Sequence, residues 1–308
     1  MRIALLSIHT SPLDQPGTGD AGGMNVYIVE TAKRLAQSGI EIDIFTRATT
    51  SHLAPTVDLV PGVKVVHITA GPFEGLLKND LPGQLCAVTA GVLRTEASNA
   101  EGYYDLIHSH YWLSGQVGWL ASERWRVPLV HTMHTMGKVK NLELAAGDKA
   151  EPEMRLIGEQ QVVDVAQRLV ANTELEAQEL TKFYQADPRK IDVVNPGVDL
   201  ELFSPGSQTK ARKKLGIPLD ASMLLFVGRI QPLKAPDILM RAAAELISMR
   251  PELRSSLLVV ICGGVSGTGA DHPEALRDLA SDLGLLDLIR FEPPSSQEEL
   301  VTWYRAAD

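Results

Sequence analysis

Two short stretches of this 308-residue chain have residue types suited to binding an anion. One has glycines at the start of a predicted helix, and the other has positive charges after a predicted strand. Gly22-Gly23-Met24-Asn25 opens a predicted helix, where glycines let backbone N–H groups approach an anion. Arg229 follows a predicted strand and Lys234 lies in the loop after it. Two cations there can neutralise a diphosphate, both when it binds and when it leaves. Turn glycines and solvated surface cations would look the same, so spacing alone leaves both interpretations open.

The glycines from Gly17 to Gly22 match the pattern G-x-G-x-x-G by letter. A dinucleotide-binding fold would need that pattern directly after a strand, but the preceding predicted strand ends near Ile8. The second predicted strand ends at Thr46 and Arg47, where an acid for the ribose would be expected. No P-loop pattern occurs. The sequence therefore does not favour a dinucleotide-binding dehydrogenase or a P-loop enzyme.

Histidines lie at the ends of two predicted strands. His131 and His134 are three residues apart, which would direct them to opposite faces of an extended chain, and no cluster of cysteines or carboxylates accompanies them. His108 and His110 share one face and fit polar groups beside a pocket. These observations do not favour zinc. Four further residues are too scattered for spacing to group them: Lys78, Tyr111, Thr135 and Arg155.

Short β-branched segments alternate with amphipathic ones along the whole chain, which predicts parallel strands with crossover helices. The predicted strands are 2–8, 40–46, 63–68, 105–110, 128–134, 168–172, 191–194, 223–227, 257–262 and 288–291. The predicted helices are 25–38, 81–97, 112–125, 151–165, 174–184, 236–250, 274–283 and 297–306. Pro and Gly at 195–197 and 203–206 suggest a linker. We expect two doubly wound α/β domains, 1–200 and 201–308, that face each other across a cleft.

Composition excludes several other classes. The net charge is −9, so no overall basic field would attract nucleic acid. The longest apolar run, residues 257–265, is far shorter than the ~20 residues that span a bilayer. Two cysteines are too few for a disulfide framework and fit a reducing compartment. No signal-peptide pattern opens the chain. These features predict a cytoplasmic protein that binds small molecules, neither nucleic acid nor membrane.

With these motifs in place, the chain resembles the retaining glycosyltransferases of family 4, which have the two-domain GT-B fold of Rossmann-like domains. The matching stretches cover essentially the whole chain: 20–27, Lys78 with 81–85, 105–115, 131–135, 139–141, 228–234 and 304–308. The resemblance implies transfer of N-acetylglucosamine from UDP-N-acetylglucosamine to 1D-myo-inositol 3-phosphate with retained α configuration, the first step of mycothiol biosynthesis. It implies no organic cofactor and a homodimer.

The resemblance also implies residue roles. The reacting centre would involve His134, Arg229 and Lys234. The donor would contact Gln15, Pro16, Gly23, Arg229 and Lys234. The acceptor would contact His9, Asp20, Ala21, Gly22, Gly23, Met24, Asn25, Lys78, Tyr111, Thr135 and Arg155, with Lys78, Tyr111, Thr135 and Arg155 around its phosphate. Backbone oxygens of Tyr304, Arg305 and Ala307 would hold a structural Mg²⁺.

Two departures from the family pattern stand out. Ala235 follows Lys234 where the family usually has glycine, and the chain ends before the family's E-x7-E segment. We therefore expect a fragment with an incomplete second domain, which binds acceptor weakly and transfers no sugar at a useful rate. Two alternatives stay open: a family 4 transferase of the sucrose-phosphate-synthase or lipid-acceptor type, and a non-catalytic binder of sugar phosphates.

Overall fold

The computed structural model describes residues 1–144, 149–265 and 274–308. Two compact units emerge from it. The first comprises Met1–Asp14, Gly23–Glu143 and Lys149–Pro196; the second comprises Gln15–Gly22, Leu144 and the described part of Gly197–Asp308. The main division thus follows Pro196, within the Pro/Gly-rich stretch that the sequence suggests as a linker, and a short early segment belongs with the second unit.

Within the described residues, the first unit contains an eight-stranded sheet. Its strands are β1 (Arg2–Leu6), β2 (Glu41–Arg47), β3 (Thr56–Val60), β4 (Val63–Ile68), β5 (Leu106–His110), β6 (Leu129–Thr132), β7 (Arg168–Ala171) and β8 (Ile191–Val193). They lie in the order β3-β4-β2-β1-β5-β6-β7-β8.

The strand β3 departs from the expected parallel arrangement, because it pairs antiparallel with β4 at the edge of the sheet. Only Pro61 and Gly62 separate the two strands, and Gly62 has a φ of +85°. Such a short connection can join antiparallel strands but not parallel ones. The prediction of a wholly parallel sheet is therefore wrong at this one edge strand.

Six α-helices of the first unit connect and cover the sheet in the described residues. They are α1 (Gly23–Gln37), α2 (Leu85–Ala97), α3 (Trp112–Trp125), α4 (Gly137–Leu142), α5 (Glu153–Val165) and α6 (Glu174–Tyr184). The predicted helix 81–97 is split: a 3-10 helix at Lys78–Gln84 contains Pro82 and precedes α2. Proline lacks an N–H and disfavours a continuous α-helix there. The six-residue α4 was not predicted.

The strand β1 lies in the interior of the sheet, with β2 on one side and β5 on the other. Ile3 and Leu5 pack on one face with residues of β2 and α1, and Leu6 packs on the opposite face with residues of α2 and α3. The chain continues from β1 to β2 on one side of the sheet and from β5 to β6 on the other. The strand order therefore reverses between β1 and β5. In open α/β sheets, the carboxyl ends of strands at such a switch point are where ligands bind.

Close packing of α3 against α5 depends on Gly158. A Cβ at this position would lie 2.5 Å from Cε3 of the buried Trp112. We expect Gly158→Ala to lower the free energy of unfolding by about 1–3 kcal/mol, because the indole must move in a packed core. Urea denaturation measures this loss. Gly83→Ala is the control, since a Cβ there meets no atom within 4 Å. Equal stability of the two variants would contradict the packing argument.

The second unit has a parallel three-stranded sheet in its described part, in the order β11-β10-β9. Its strands are β9 (Ser222–Val227), β10 (Leu257–Cys262) and β11 (Ile289–Glu292), and its helices are α7 (Gln208–Leu215), α8 (Pro236–Met249), α9 (Ala275–Asp282) and α10 (Gln297–Ala306). The lysine-rich α7 has few apolar residues and was not predicted. Across the described ranges, no helix has the length and apolarity needed to traverse a bilayer.

Candidate functional site

Several loops of the first unit meet at the carboxyl edge of its sheet. His9 follows β1, Lys78 begins the 3-10 helix after β4, Tyr111 follows β5 and Thr135 follows β6. Arg155 lies in the first turns of α5. Parallel strands end at the same edge, so residues far apart in sequence are neighbours here. The site is thus assembled by topology and not by local spacing.

Four of these residues form one cluster around the ring of Tyr111: Lys78, Tyr111, Thr135 and Arg155. We call this cluster the anion group, because its two cations would attract an anion. Lys78 Nζ lies 4.8 Å, and Arg155 Cζ 5.0 Å, from the centroid of the Tyr111 ring. Arg155 Nη2 donates to Thr135 Oγ1 at 2.9 Å and to the Thr135 carbonyl at 3.2 Å. The imidazole of His9 packs against the ring of Tyr111, with centroids 4.3 Å apart. Two cations on one ring make this a place where an anion would be attracted.

The backbone of Tyr111 has a φ of +69°, in the region that non-glycine residues rarely occupy. Such strain persists only where the surrounding structure enforces it, and it clusters at ligand sites. Tyr111 is buried, and burial raises the pKa of its hydroxyl. The phenol is therefore neutral at physiological pH.

Arg155 is buried, with 3% of its surface exposed, and it is held by two acids. Its Nε donates to Glu159 Oε1 at 2.7 Å, and its Nη1 lies 2.8 Å from Glu151 Oε2. Burial alone would lower the pKa of Arg155, but Tyr111 and the two carboxylates raise it above its ordinary value. Sequence reasoning missed both acids. The signal was available, because Glu151, Arg155 and Glu159 recur at four-residue spacing along one helical face.

Asn25 is also buried at this edge, and its amide holds the neighbouring loop. Its Nδ2 donates to Thr10 Oγ1 at 2.9 Å and to the Ser11 carbonyl at 2.7 Å. The side chain therefore ties the loop after β1 to the start of α1. The neighbouring Gly23 has open space where a Cβ would be, so its backbone is approachable. Met24 packs beside the apolar core of the unit.

The histidines form a second cluster beside these residues. His110 Nδ1 and His134 Nε2 share a hydrogen bond of 2.9 Å, and the Tyr27 ring packs on both. Burial lowers the pKa of His134 to about 3 and that of His108 to about 4, so both are neutral at physiological pH. Tyr27 lies within the matching stretch 20–27, but the sequence alone does not assign it to the site.

His134 lies beyond the end of its strand, so the expected extended spacing from His131 is wrong. The strand β6 ends at Thr132, and His134 has a φ of +61°, so the chain turns before this residue. His131 instead points to Ser109 Oγ, 2.7 Å from its Nδ1. In the described ranges, no three histidine, cysteine or acidic side chains are arranged to hold a metal ion.

The second unit carries the other predicted cations. Arg229 follows β9, and Lys234 ends a 3-10 helix, Pro232–Lys234, directly before α8. Lys234 is exposed. A Cβ on Gly22 would lie 3.3 Å from Arg229 Nε, so the glycine keeps the guanidinium unobstructed. The structure therefore brings Gly22 and Arg229 together within this unit.

The segment 15–22 folds into turns within the second unit. Gln15 Nε2 donates to the Ser295 carbonyl at 3.1 Å and to the Pro16 carbonyl at 3.2 Å. The Ala21 amide donates to the Thr18 carbonyl, and the Ala21 carbonyl accepts from Gly17. Asp20 is exposed next to them. The letters that match a dinucleotide motif thus form a turn and not a strand–helix junction.

Ala235 has a φ of +50° and a ψ of +47°, the left-handed conformation that glycine adopts without cost. A Cβ is unfavourable there by roughly 1–2 kcal/mol. We expect Ala235→Gly to raise the free energy of unfolding by about 0.5–1 kcal/mol, after the greater chain entropy of glycine is subtracted. Thermal and urea unfolding check this. Ala244→Gly, inside α8, is the control and should lower stability by about 1 kcal/mol; a loss of stability in both variants would contradict the strain.

The Mg²⁺ site that the resemblance implies stays a prediction, and the residues expected to form it make contacts within the chain. The Ala307 carbonyl accepts from Gln208 Nε2 at 3.0 Å. The neighbouring Asp308 carboxylate accepts from Arg212 Nη2 at 2.6 Å and from the Met223 amide at 2.7 Å. The Arg305 side chain turns to the Ser204 carbonyl, and the Tyr304 ring packs near Phe203. Magnesium prefers an octahedron of oxygens, and of the three expected carbonyl oxygens that of Ala307 accepts a hydrogen bond from a side chain of the chain itself.

Comparison with known proteins gives two domain families in order along the chain. Residues 22–197 match the glycosyl transferase 4-like domain, and residues 207–308 match the glycosyl transferases group 1. The D-inositol 3-phosphate glycosyltransferase 2 of Catenulispora acidiphila is 66% identical over 307 residues, and the D-inositol 3-phosphate glycosyltransferase of Thermobispora bispora is 65% identical. Each alignment covers 100% of this chain and 72% of the relative.

Solved structures agree with the domain families. A sucrose-phosphate synthase from Thermosynechococcus elongatus is similar with a TM-score of 0.89 and 27% identity, over 99% of this chain and 73% of that one. Anabaena HepE, solved in complex with UDP and glucose, has a TM-score of 0.70 at 20% identity, over 100% of this chain and 72% of that one, and supports the fold alone. The chain belongs to the family 4 glycosyltransferases of the GT-B fold.

Proposed function

We propose that the chain binds 1D-myo-inositol 3-phosphate as acceptor and UDP-N-acetylglucosamine as donor, and that it serves the first step of mycothiol biosynthesis. The assignment of the acceptor rests on the anion group, in which Lys78 and Arg155 lie within about 5 Å of the centre of the Tyr111 ring. Relatives more than 60% identical are named for D-inositol 3-phosphate. A phosphate monoester suits the pair, because lysine supplies a point charge and arginine a fixed fork of donors.

The donor assignment rests on Arg229 and Lys234 in the second unit. Cations after a strand and before a helix can hold a diphosphate and stabilise the charge that it gains as it departs. Glycosyl transfer with retention leaves that charge on the diphosphate oxygen nearest the sugar. The role of Arg229 and Lys234 is then to stabilise this leaving group, while the anion group orients the acceptor.

His134 acts in this proposal as a neutral hydrogen-bonding group beside the reacting sugar. Its pKa of about 3 follows from burial first and from neighbouring His108 second. A general base works best when its pKa lies near the working pH, so an imidazole with so low a pKa is a weak base. This supports a mechanism in which the departing phosphate oxygen accepts the proton of the acceptor hydroxyl.

Isothermal titration calorimetry tests the acceptor. We expect myo-inositol 3-phosphate to bind at least tenfold more tightly than myo-inositol, since the phosphate contributes about 1.5–3 kcal/mol per charged hydrogen bond. Glucose 6-phosphate should bind more weakly than myo-inositol 3-phosphate. Equal affinity for myo-inositol and its phosphate would refute the acceptor site.

Competition against UDP tests the donor separately. UDP-N-acetylglucosamine should displace UDP at lower concentration than UDP-glucose does. The reverse order would favour another UDP-sugar, and the proposed donor would be wrong. A product formed by the chain would be examined by NMR, and its anomeric configuration should be α.

A further inference from the structure

Arg155 is engaged by the chain on three sides before any ligand is considered. Nε donates to Glu159, Nη2 donates to Thr135, and Nη1 forms an ion pair with Glu151. Arginine offers its donors in a fixed planar fork and accepts no hydrogen bonds. These contacts use up to four of its five N–H groups, so a phosphate that takes two or more hydrogen bonds from this guanidinium must share these contacts or replace one of them.

Glu159 is the fixed partner. Its side chain is fully buried at 0% exposure. Both of its oxygens accept from the Gly137 amide, at 2.9 and 3.1 Å, and one of them accepts the hydroxyl of Tyr184. These partners come from α4 and α6, so three helices converge on one carboxylate. Displacing Glu159 would leave a buried charge and a buried amide without partners, which is costly.

Glu151 is more exposed than Glu159 and has a second cation as its partner. Its side chain is 17% exposed, and it lies just before α5. Its carboxylate also pairs with Lys140, and its backbone amide donates to Asn141 Oδ1 at 2.7 Å. Burial would raise the pKa of Glu151, but Arg155 and Lys140 together hold it below its ordinary value. A carboxylate with a second cation can leave the first without becoming unpaired.

We propose that the phosphate of the acceptor replaces Glu151 on Nη1 of Arg155, while Glu151 stays with Lys140 and Glu159 keeps its place. The inference rests on the proposed function, in which Arg155 binds the acceptor phosphate. It makes Glu151 a residue that sets specificity: an anion must compete with a carboxylate that is already in position. A phosphate dianion carries more charge than a carboxylate and can do so, whereas a neutral polyol cannot.

The test measures binding of myo-inositol 3-phosphate to three isosteric variants by calorimetry. Glu151→Gln should bind it about 5–20-fold more tightly, because the amide no longer competes as a charged partner. Glu159→Gln should bind it about tenfold more weakly, because Arg155 loses the charge that orients it. Glu153→Gln is the matched control: the same charge is removed from an exposed side chain two residues away. It should stay within about twofold of the parent, since exposed charges are screened.

The outcomes separate the inference from the proposed function. If the parent chain does not bind myo-inositol 3-phosphate, the proposed function fails. If the parent binds it but Glu151→Gln binds it more weakly, or no more tightly than Glu153→Gln does, the exchange of partners is refuted. Should Glu159→Gln fail to fold, Tyr184→Phe removes one hydrogen bond from the same carboxylate and should weaken binding. Binding of inorganic phosphate should rise in Glu151→Gln as well, which a purely structural role would not produce.

Discussion

Replacing both Arg229 and Lys234 with alanine is expected to weaken binding of UDP by about two to four orders of magnitude. Each cation would otherwise contribute a charge-assisted hydrogen bond to the diphosphate. Lys234 is exposed and Arg229 is half-buried, so neither leaves a buried charge behind when it is removed. Calorimetry with UDP measures the effect.

Affinity for myo-inositol 3-phosphate should stay unchanged in the double variant, because the anion group lies wholly in the first unit. Arg241→Ala is the control: it removes a cation from α8 that pairs with Asp237 across one helical turn. UDP binding retained in the double variant would mean that the diphosphate binds elsewhere.

Lys78→Ala is expected to weaken the binding of myo-inositol 3-phosphate by about 10–100-fold and to leave the binding of UDP unchanged. The ammonium lies 4.8 Å from the centroid of the Tyr111 ring, and the side chain is only partly buried. Its removal should therefore cost little stability, so the loss can be assigned to binding. Titration of each ligand, with thermal unfolding alongside, provides the measurement.

Lys182→Ala matches this variant closely, because Lys182 Nζ lies 4.9 Å from the centroid of the Phe183 ring on α6. The same type of cation–aromatic contact is lost at a place that the site does not include. The control should bind myo-inositol 3-phosphate as the parent does. An equal loss of binding in both variants would show that the loss comes from lower stability and not from a contact with the ligand.

Elements with strong periodicity and good end signals could be predicted from the sequence. The helices 112–125, 174–184 and 297–306 have the predicted bounds, and two of them begin at side-chain caps, Thr173 and Ser296. The missed elements are short or polar. The strand β3 depends on a hairpin with β4. Half of the residues of α7 are charged, and only the folded unit reveals how this helix packs.

The site was less accessible to sequence reasoning than the fold. Lys78, Tyr111, Thr135 and Arg155 were named through the family resemblance, because the first and the last are 77 positions apart in the chain. The order of the sheet brings them together, and no local pattern encodes that order. The four-residue spacing could have paired Glu159 with Arg155, but the contacts of Glu159 with Gly137 and Tyr184 depend on two other helices.

The interior position of β1 also sets the order in which its two strand pairings can form during synthesis. Ile3 pairs with Ile42 on one side and with Leu106 on the other. A nascent chain can form the first pairing early, but the second edge of β1 stays open until β5 has left the ribosome. At roughly 5–20 residues per second, that interval lasts about three to twelve seconds. For this time β1 has an unpaired apolar edge, which is a template on which another strand can pair.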